Sequence, residues 1–372
     1  MSYLKKYLKN VDVQDEGAIA FFASIDNIAK TSPTIANSII SELKDQRSNI
    51  KLIASENYCS LAVQQAMGNL LTDKYSEGFV KHRFYAGCEN IDTIEQEAVD
   101  LAKKIFNADH AYVQPHSGAD ANLVAFFSIL VKEVQEKKIK ELNKNSLEEL
   151  TVEEYDKIRE LFSKQKLMGL ALSSGGHLTH GFLHNVSSKI MKACSYEVDP
   201  KTNLIDYDLM YKKAKLEKPL ILLGGYSAYP RLIDFAKMKE IANSVGAVFM
   251  VDMAHFAGLV AGGVLAGNYN PVPFADVVTS TTHKTLRGPR GGLILCKDEY
   301  KDVINKGCPL VLGGPMPHVM AAKAVAFREA DTDAFKKYAK QIVENAKYLA
   351  EMLIENGAHV ITNGTDNHLI LL

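Results

Sequence analysis

The feature that most constrains this chain is an alternation that sets in near residue 110. Short apolar runs recur at 110–114, 167–172, 220–223, 248–252, 277–281 and 293–296, with helix-length stretches such as 119–130 and 232–245 between some of them. A run apolar on both faces suits a strand covered on both sides, and strands alternating with helices make an α/β domain. The expected architecture is a mostly parallel sheet with helices on both faces. Ligands of such sheets bind beyond the carboxyl ends of the strands, where Ser117, His177, Asp252 and Lys284 should all fall.

The remaining stretches divide the chain. Residues 1–60 read as an N-terminal helical arm whose stripe of Ile35, Ile39, Ile40 and Leu43 is expected to pack on another subunit. Residues 61–330 form the large domain, interrupted at about 131–166 by a segment dense in Lys and Glu. Ser146 with Glu149 and Thr151 with Glu154 have capping-box spacing there, which predicts a surface helical hairpin, or alternatively a partner-binding insert. From 331 a smaller C-terminal domain begins with a helix over about 333–356, and Gly357 stands as its C-cap. The sequence closes on His368-Leu-Ile-Leu-Leu372, an apolar strand signal with nothing after it to complete a sheet. The chain is therefore expected to be cut short, with 369–372 as an exposed edge.

Charge excludes some classes of partner. Lys plus Arg number 43 against 44 Asp plus Glu, so no global field favours nucleic acid or an anionic membrane. Residues 245–267 are long enough to span a membrane, but Asp252 and His255 near the middle would be costly in hydrocarbon. The five cysteines are dispersed without a Cys-x-x-Cys pair, and no signal-peptide pattern opens the chain. Free thiols and a cytoplasmic location are expected.

Chemistry concentrates at 276–292. A β-branched strand leads into His283 and Lys284, then into Arg287-Gly-Pro-Arg-Gly-Gly292. Most lysines are solvated surface charges, but one held between a buried strand and a glycine-rich turn is partly desolvated, which favours the neutral amine. Such an amine can form a Schiff base with an aldehyde, as in proteins that carry pyridoxal phosphate (PLP). That cofactor also needs an anion for its pyridine nitrogen, a phosphate cradle and a group over its ring. Asp252 ends an apolar strand, where a carboxylate requires a cation or a cap. Ser117-Gly118 opens an apolar helix, a generic phosphate site. His177, His180 and His184 admit a metal reading, yet Gly175, Gly176 and Gly181 oppose a regular helix and no cysteine or carboxylate lies close in sequence. No metal is expected; an imidazole stacked on a flat ring is the alternative.

Taken together, these segments resemble the serine hydroxymethyltransferases. The resemblance rests on Leu52-Ile-Ala-Ser-Glu-Asn57, Tyr75-Ser-Glu-Gly78, Val113-Gln-Pro-His-Ser-Gly-Ala119, Gly175-Gly-His-Leu-Thr-His-Gly181, Ser227-Ala-Tyr-Pro-Arg231 and Val251-Asp-Met-Ala-His-Phe-Ala-Gly-Leu259, besides the lysine stretch from Ser280. It covers nearly the whole chain outside the insert. It implies a fold-type I PLP-dependent transferase, aspartate aminotransferase-like with a mostly parallel seven-stranded sheet, a homodimer or dimer of dimers with shared active sites, and conversion of serine plus tetrahydrofolate to glycine plus 5,10-methylenetetrahydrofolate.

By the same resemblance Lys284 carries the cofactor, Asp252 faces the pyridinium, and His177 stacks on the ring. His255 and Ser227 fall on the phenolic-oxygen side, Arg290 and His283 support the cofactor, and Thr281 lies beside the Lys284 linkage. Ser117 and Gly118 take the phosphate, joined by Tyr75 and Gly313-Gly314 from another subunit. Glu77 is implied as acid/base at the substrate hydroxyl, Tyr85 and Ser55 as amino-acid contacts, and Leu178 as part of the folate site. Ser174 departs from a histidine common in the family. The family's substrate-carboxylate arginine is expected beyond residue 372. A related PLP enzyme such as a threonine aldolase, and an inactive homologue acting as a binding module, are the competing readings.

Overall fold

The structure, a computed structural model, describes residues 2–372. Helices α1 (Tyr3–Lys9), α2 (Glu16–Thr31) and α3 (Pro33–Ser48) form the arm, followed by α4 (Leu61–Met67). Ile35 is exposed and Ile39, Ile40 and Leu43 are only partly covered, so the predicted stripe finds no complete partner within the chain. A two-residue hairpin, β1 (Gly78–Phe79) with β2 (His82–Arg83), precedes α5 (Glu89–Phe106).

The main sheet has seven strands: β3 (His110–Tyr112), β4 (Lys166–Leu170), β5 (Lys192–Tyr196), β6 (Ile221–Gly225), β7 (Val248–Asp252), β8 (Val277–Thr281) and β9 (Gly292–Cys296), in the order β3-β9-β8-β7-β6-β4-β5. Only β9 runs against the rest. Residues 282–291 are too few for the crossover that a parallel neighbour of β8 needs, so the chain doubles straight back. Successive side chains of each strand feed opposite cores. Phe249 and Val251 of β7 join one apolar cluster, while Val248 and Met250 join the other. This two-sided burial is why the strands read as unbroken apolar runs.

Three expectations need correction. Strand β5 was not among the apolar runs, because it is an edge strand whose first two residues are exposed. The C-terminal segment forms no strand: it folds back, with Ile361 N donating to Leu371 O (2.9 Å) and Asn367 Nδ2 donating to Tyr226 Oη (3.0 Å) and Tyr229 O (2.9 Å). Leu369 is 3% exposed, so the predicted open edge reduces to Leu372. The insert is helical, but its first helix is no separate element. Helix α6 (Gly118–Leu130) continues through a π-turn at Val131–Gln135 into α7 (Glu136–Glu141). Helix α8 (Val152–Lys164) returns, opened by a full Thr151–Glu154 capping box; Ser146 caps only a short 3-10 turn without a side-chain bond.

Candidate active site

The carboxyl ends of β6, β7 and β8 open onto a cleft of about 590 Å³. Eleven of the residues singled out in the sequence line it: Ser55, Ser117, Gly118, His177, Ser227, Asp252, His255, Thr281, His283, Lys284 and Arg290. Strand ends bring them together, as expected of the sheet topology. Gly225 makes room at the turn out of β6: its φ is +105°, and a Cβ there would stand 2.0 Å from Asp252 O.

Lys284 sits just past β8 in a loop closed on itself. Gly288 N donates to Thr282 O (2.7 Å), Arg287 N to Lys284 O (3.0 Å) and Thr282 Oγ1 to Pro289 O (2.6 Å). Asn57 reaches in from the N-terminal segment and donates to Lys284 O (3.0 Å). Burial lowers the Lys284 pKa; the Asp252 carboxylate opposes that shift and the Arg290 charge adds to it.

Asp252 is buried and well partnered. Asn122 Nδ2 (2.8 Å) and His180 Nε2 (3.3 Å) donate to one carboxylate oxygen, and Ala254 N (3.0 Å) donates to the other. Burial alone would raise its pKa, but the His180 hydrogen bond and field, with the Asn122 bond, hold it well below the usual carboxylate range. A carboxylate offers about four acceptor positions, so one remains for a cation in the cleft. The Thr179 amide (3.2 Å) and hydroxyl (2.7 Å) both address His177 Nδ1, leaving the ring proton on Nε2. Burial depresses the His177 pKa, so the ring is a neutral, flat face. His255 is pushed down to about 3 and His283 to about 4, in each case first by burial, then by neighbouring cations such as Lys284.

The structure adds detail to two sequence readings. The Ser117 hydroxyl is committed as the N-cap of α6, accepting from Asp120 N (3.1 Å) and donating to Asp120 Oδ2 (2.9 Å). Beside it, the backbone N–H groups of Gly118 and Ala119 precede the first intrahelical bond, and Ser117, Gly118 and Ala119 all line the cleft. His180 was weighed only as a metal ligand. It does meet a carboxylate, Asp252, drawn from a distant strand, and their atoms lie with those of His177 within 4.8 Å. His180 Nδ1 accepts from His177 N (3.3 Å) and Nε2 bonds Asp252, so the trio is a hydrogen-bonded support for the carboxylate. His184 is exposed and apart.

Tyr75, Glu77, Tyr85, Leu178, Gly313 and Gly314 do not line the cleft. Tyr75, Glu77, Tyr85 and Gly314 instead gather in a second cluster: Tyr85 Oη donates to Glu77 Oε2 (2.8 Å), the Tyr75 and Tyr85 rings lie 6.1 Å apart edge to face, and a Cβ on Gly314 would meet the Tyr75 ring at 3.5 Å. A buried Arg83 braces it, donating to Ser76 O (2.9 Å) and to Glu95 Oε2 (2.5 Å). Asn122, His180 and Asn57 are the residues that the sequence reading missed. His180 and Asn57 lay inside quoted motifs, whereas Asn122, in mid-helix, carried no signal.

A desolvated amine, an ionised buried carboxylate, a helix N-terminus and a flat neutral imidazole meet PLP's four requirements. On this sheet they place the chain among the fold-type I PLP-dependent transferases. Comparison with known proteins narrows the class. The model of the serine hydroxymethyltransferase family matches residues 28–144 and 142–372. A serine hydroxymethyltransferase of Treponema pallidum (strain Nichols) is 56% identical over all of this chain, which spans 65% of that protein. One from Chlamydia muridarum is 53% identical over the whole chain and 76% of its own length, and one from Cutibacterium acnes 52% identical over 97% and 74%. The chain belongs to the serine hydroxymethyltransferase family, whose members use PLP as cofactor and tetrahydrofolate as co-substrate.

Proposed function

We propose that this chain interconverts serine plus tetrahydrofolate with glycine plus 5,10-methylenetetrahydrofolate, using PLP held covalently by Lys284. The observation that carries the reading is the pairing, in one cleft, of a desolvated Lys284 with an Asp252 held ionised by His180 and Asn122. Bound there, PLP supplies an electron sink for bonds broken at the amino acid's α-carbon. Asp252 would balance the charge of its pyridine nitrogen, Ser117 and Gly118, with the Ala119 amide, would take its phosphate, and His177 would cover its ring. Ser227 and His255 lie towards its phenolic oxygen, with Thr281 beside Lys284 and His283 and Arg290 at the rim. Ser55 contacts the amino acid.

Glu77 is the acid/base for the substrate hydroxyl, with Tyr85 beside it, and Leu178 borders the folate. The Tyr75–Glu77–Tyr85 cluster with Gly313-Gly314 faces outward in this chain. Tyr75 is 66% and Tyr85 51% exposed, as suits residues that complete a cleft on a second copy. We therefore read the assembly as a homodimer or dimer of dimers with shared sites. Five unpaired cysteines suit a cytoplasmic setting. The test follows the labelled hydroxymethyl carbon of serine. It should appear in the folate product, with glycine formed in step and only when tetrahydrofolate is present. Cleavage of threonine to glycine with no response to folate would overturn this in favour of an aldolase.

A further inference from the structure

Lys323, on the helix Pro317–Ala330, is 1% exposed, and no carboxylate pairs with it among the described residues. A buried ammonium without compensation is costly. Here the compensation is three backbone carbonyls: Nζ donates to Val113 O (2.6 Å), Pro115 O (2.9 Å) and Gly292 O (2.8 Å). Three acceptors around one nitrogen call for three N–H donors, which the ammonium has and the neutral amine lacks. Burial pulls its pKa down to about 7, and the fields of Glu95 and Asp120 oppose that shift.

The position of those carbonyls gives the lysine its meaning. Val113 and Pro115 lie between β3 and the Ser117-Gly118 turn, and Gly292 opens β9 directly after the Lys284 loop. The two stretches touch through backbone. Gly292 N donates to Pro115 O (2.9 Å), and a Cβ on Gly292 would stand 2.2 Å from Ser117 O. Converging carbonyl dipoles repel one another, and one positive charge between them removes that repulsion.

We propose that Lys323 is a positioning residue for the cofactor: its ammonium locks the phosphate-binding turn and the end of the Lys284 loop at one separation. The two ends of PLP are thereby given fixed anchors, its phosphate at Gly118-Ala119 and its aldehyde carbon at Lys284. This rests on the reading that the cleft holds PLP.

Two variants test it. Lys323→Met keeps the length and removes the charge. Gly291→Ala is milder, since its new Cβ would stand 2.5 Å from Lys323 Cε and displace the flexible side chain. Ile158→Ala, a buried site in the insert, serves as a destabilised control. PLP titration should show affinity about ten-fold or more weaker in both test variants, the scale of a lost charge-assisted contact, and unchanged in the control. Hydrogen exchange of the apoprotein should quicken in 113–118 and 288–293 before elsewhere. Parental PLP affinity, or exchange that rises evenly along the chain, overturns the proposal; if Lys323→Met does not fold, Gly291→Ala decides. Failure of the unaltered chain to bind PLP at all overturns the proposed function, and this inference with it.

Discussion

Burial by itself would push the Asp252 carboxyl towards its neutral form; His180 and Asn122 keep it ionised. Replacing Asp252 with Asn preserves shape but removes the charge that balances a pyridinium. The expected result is a variant that still binds PLP and loses about 3 kcal/mol or more of transition-state stabilisation, a fall of at least roughly a hundred-fold in kcat/KM. Near-parental turnover by folded Asp252→Asn would remove Asp252 from the mechanism. Asp252 was legible in the sequence because it ends an apolar strand, where a polar residue stands out, and Lys284 because it lies between a β-branched strand and a glycine-rich turn. Asn122 was not, because what gives it a role is 130 residues away and set by the packing of α6 on the sheet. The capping role of the Ser117 hydroxyl was not read from the sequence, because a cap and a phosphate contact look alike there.

The hairpin β1–β2 matters as an element because Glu77 leads directly into it, its carbonyl accepting from Phe84 N (3.1 Å) across the hairpin's base. Arg83 holds it through Asp92 Oδ1 (2.8 Å), Glu95 Oε2 (2.5 Å) and Ser76 O (2.9 Å), and Gln114 Nε2 adds a bond to Gly78 O (2.8 Å). The Arg83 and Glu95 side chains are only 4% and 3% exposed. Removing one member of such a pair leaves the other charge buried alone, so Arg83→Met should cost about 3–5 kcal/mol in urea unfolding. Glu95→Gln, which retains hydrogen bonding, should cost less; the reverse order would contradict this network. At this scale the sequence showed six strands and most helices, since two-sided burial writes itself as apolar runs. It hid β5, which is half exposed at the sheet edge, and the direction of β9, which follows from the short Lys284 loop.

Across the whole molecule the C-terminal segment is tied to the cleft by two imidazoles, with His255 Nδ1 3.3 Å from His368 Nε2. Burial, then the charges of Lys284 and of each other or of Lys284 alone, push His255 down to about 3 and His368 to about 4. Asp252 and His177 also face His255, the first opposing the shift and the second adding to it. Both folded pKa values lie below the unfolded value, so the unfolded chain binds more protons between about pH 4 and 6.5. The stabilisation is complete above pH 6.5 and is lost as pH falls through that window, at about 1.4 kcal/mol per pH unit per histidine. Between pH 7.5 and 5.5 the pair should therefore account for a loss of about 2.7 kcal/mol, and His368→Gln should show roughly half of it. An equal loss in both proteins would exclude the pair as the source.

The central claim is that Lys284, and no other lysine, takes the cofactor. Two other lysines make the question sharp: Lys51 also lines the cleft, and Lys323 is buried beneath the phosphate turn. Incubation with PLP, borohydride reduction and peptide mapping assign the attachment directly. The account predicts the pyridoxyl mass on the peptide containing Lys284; its appearance on Lys51 or Lys323 would contradict it.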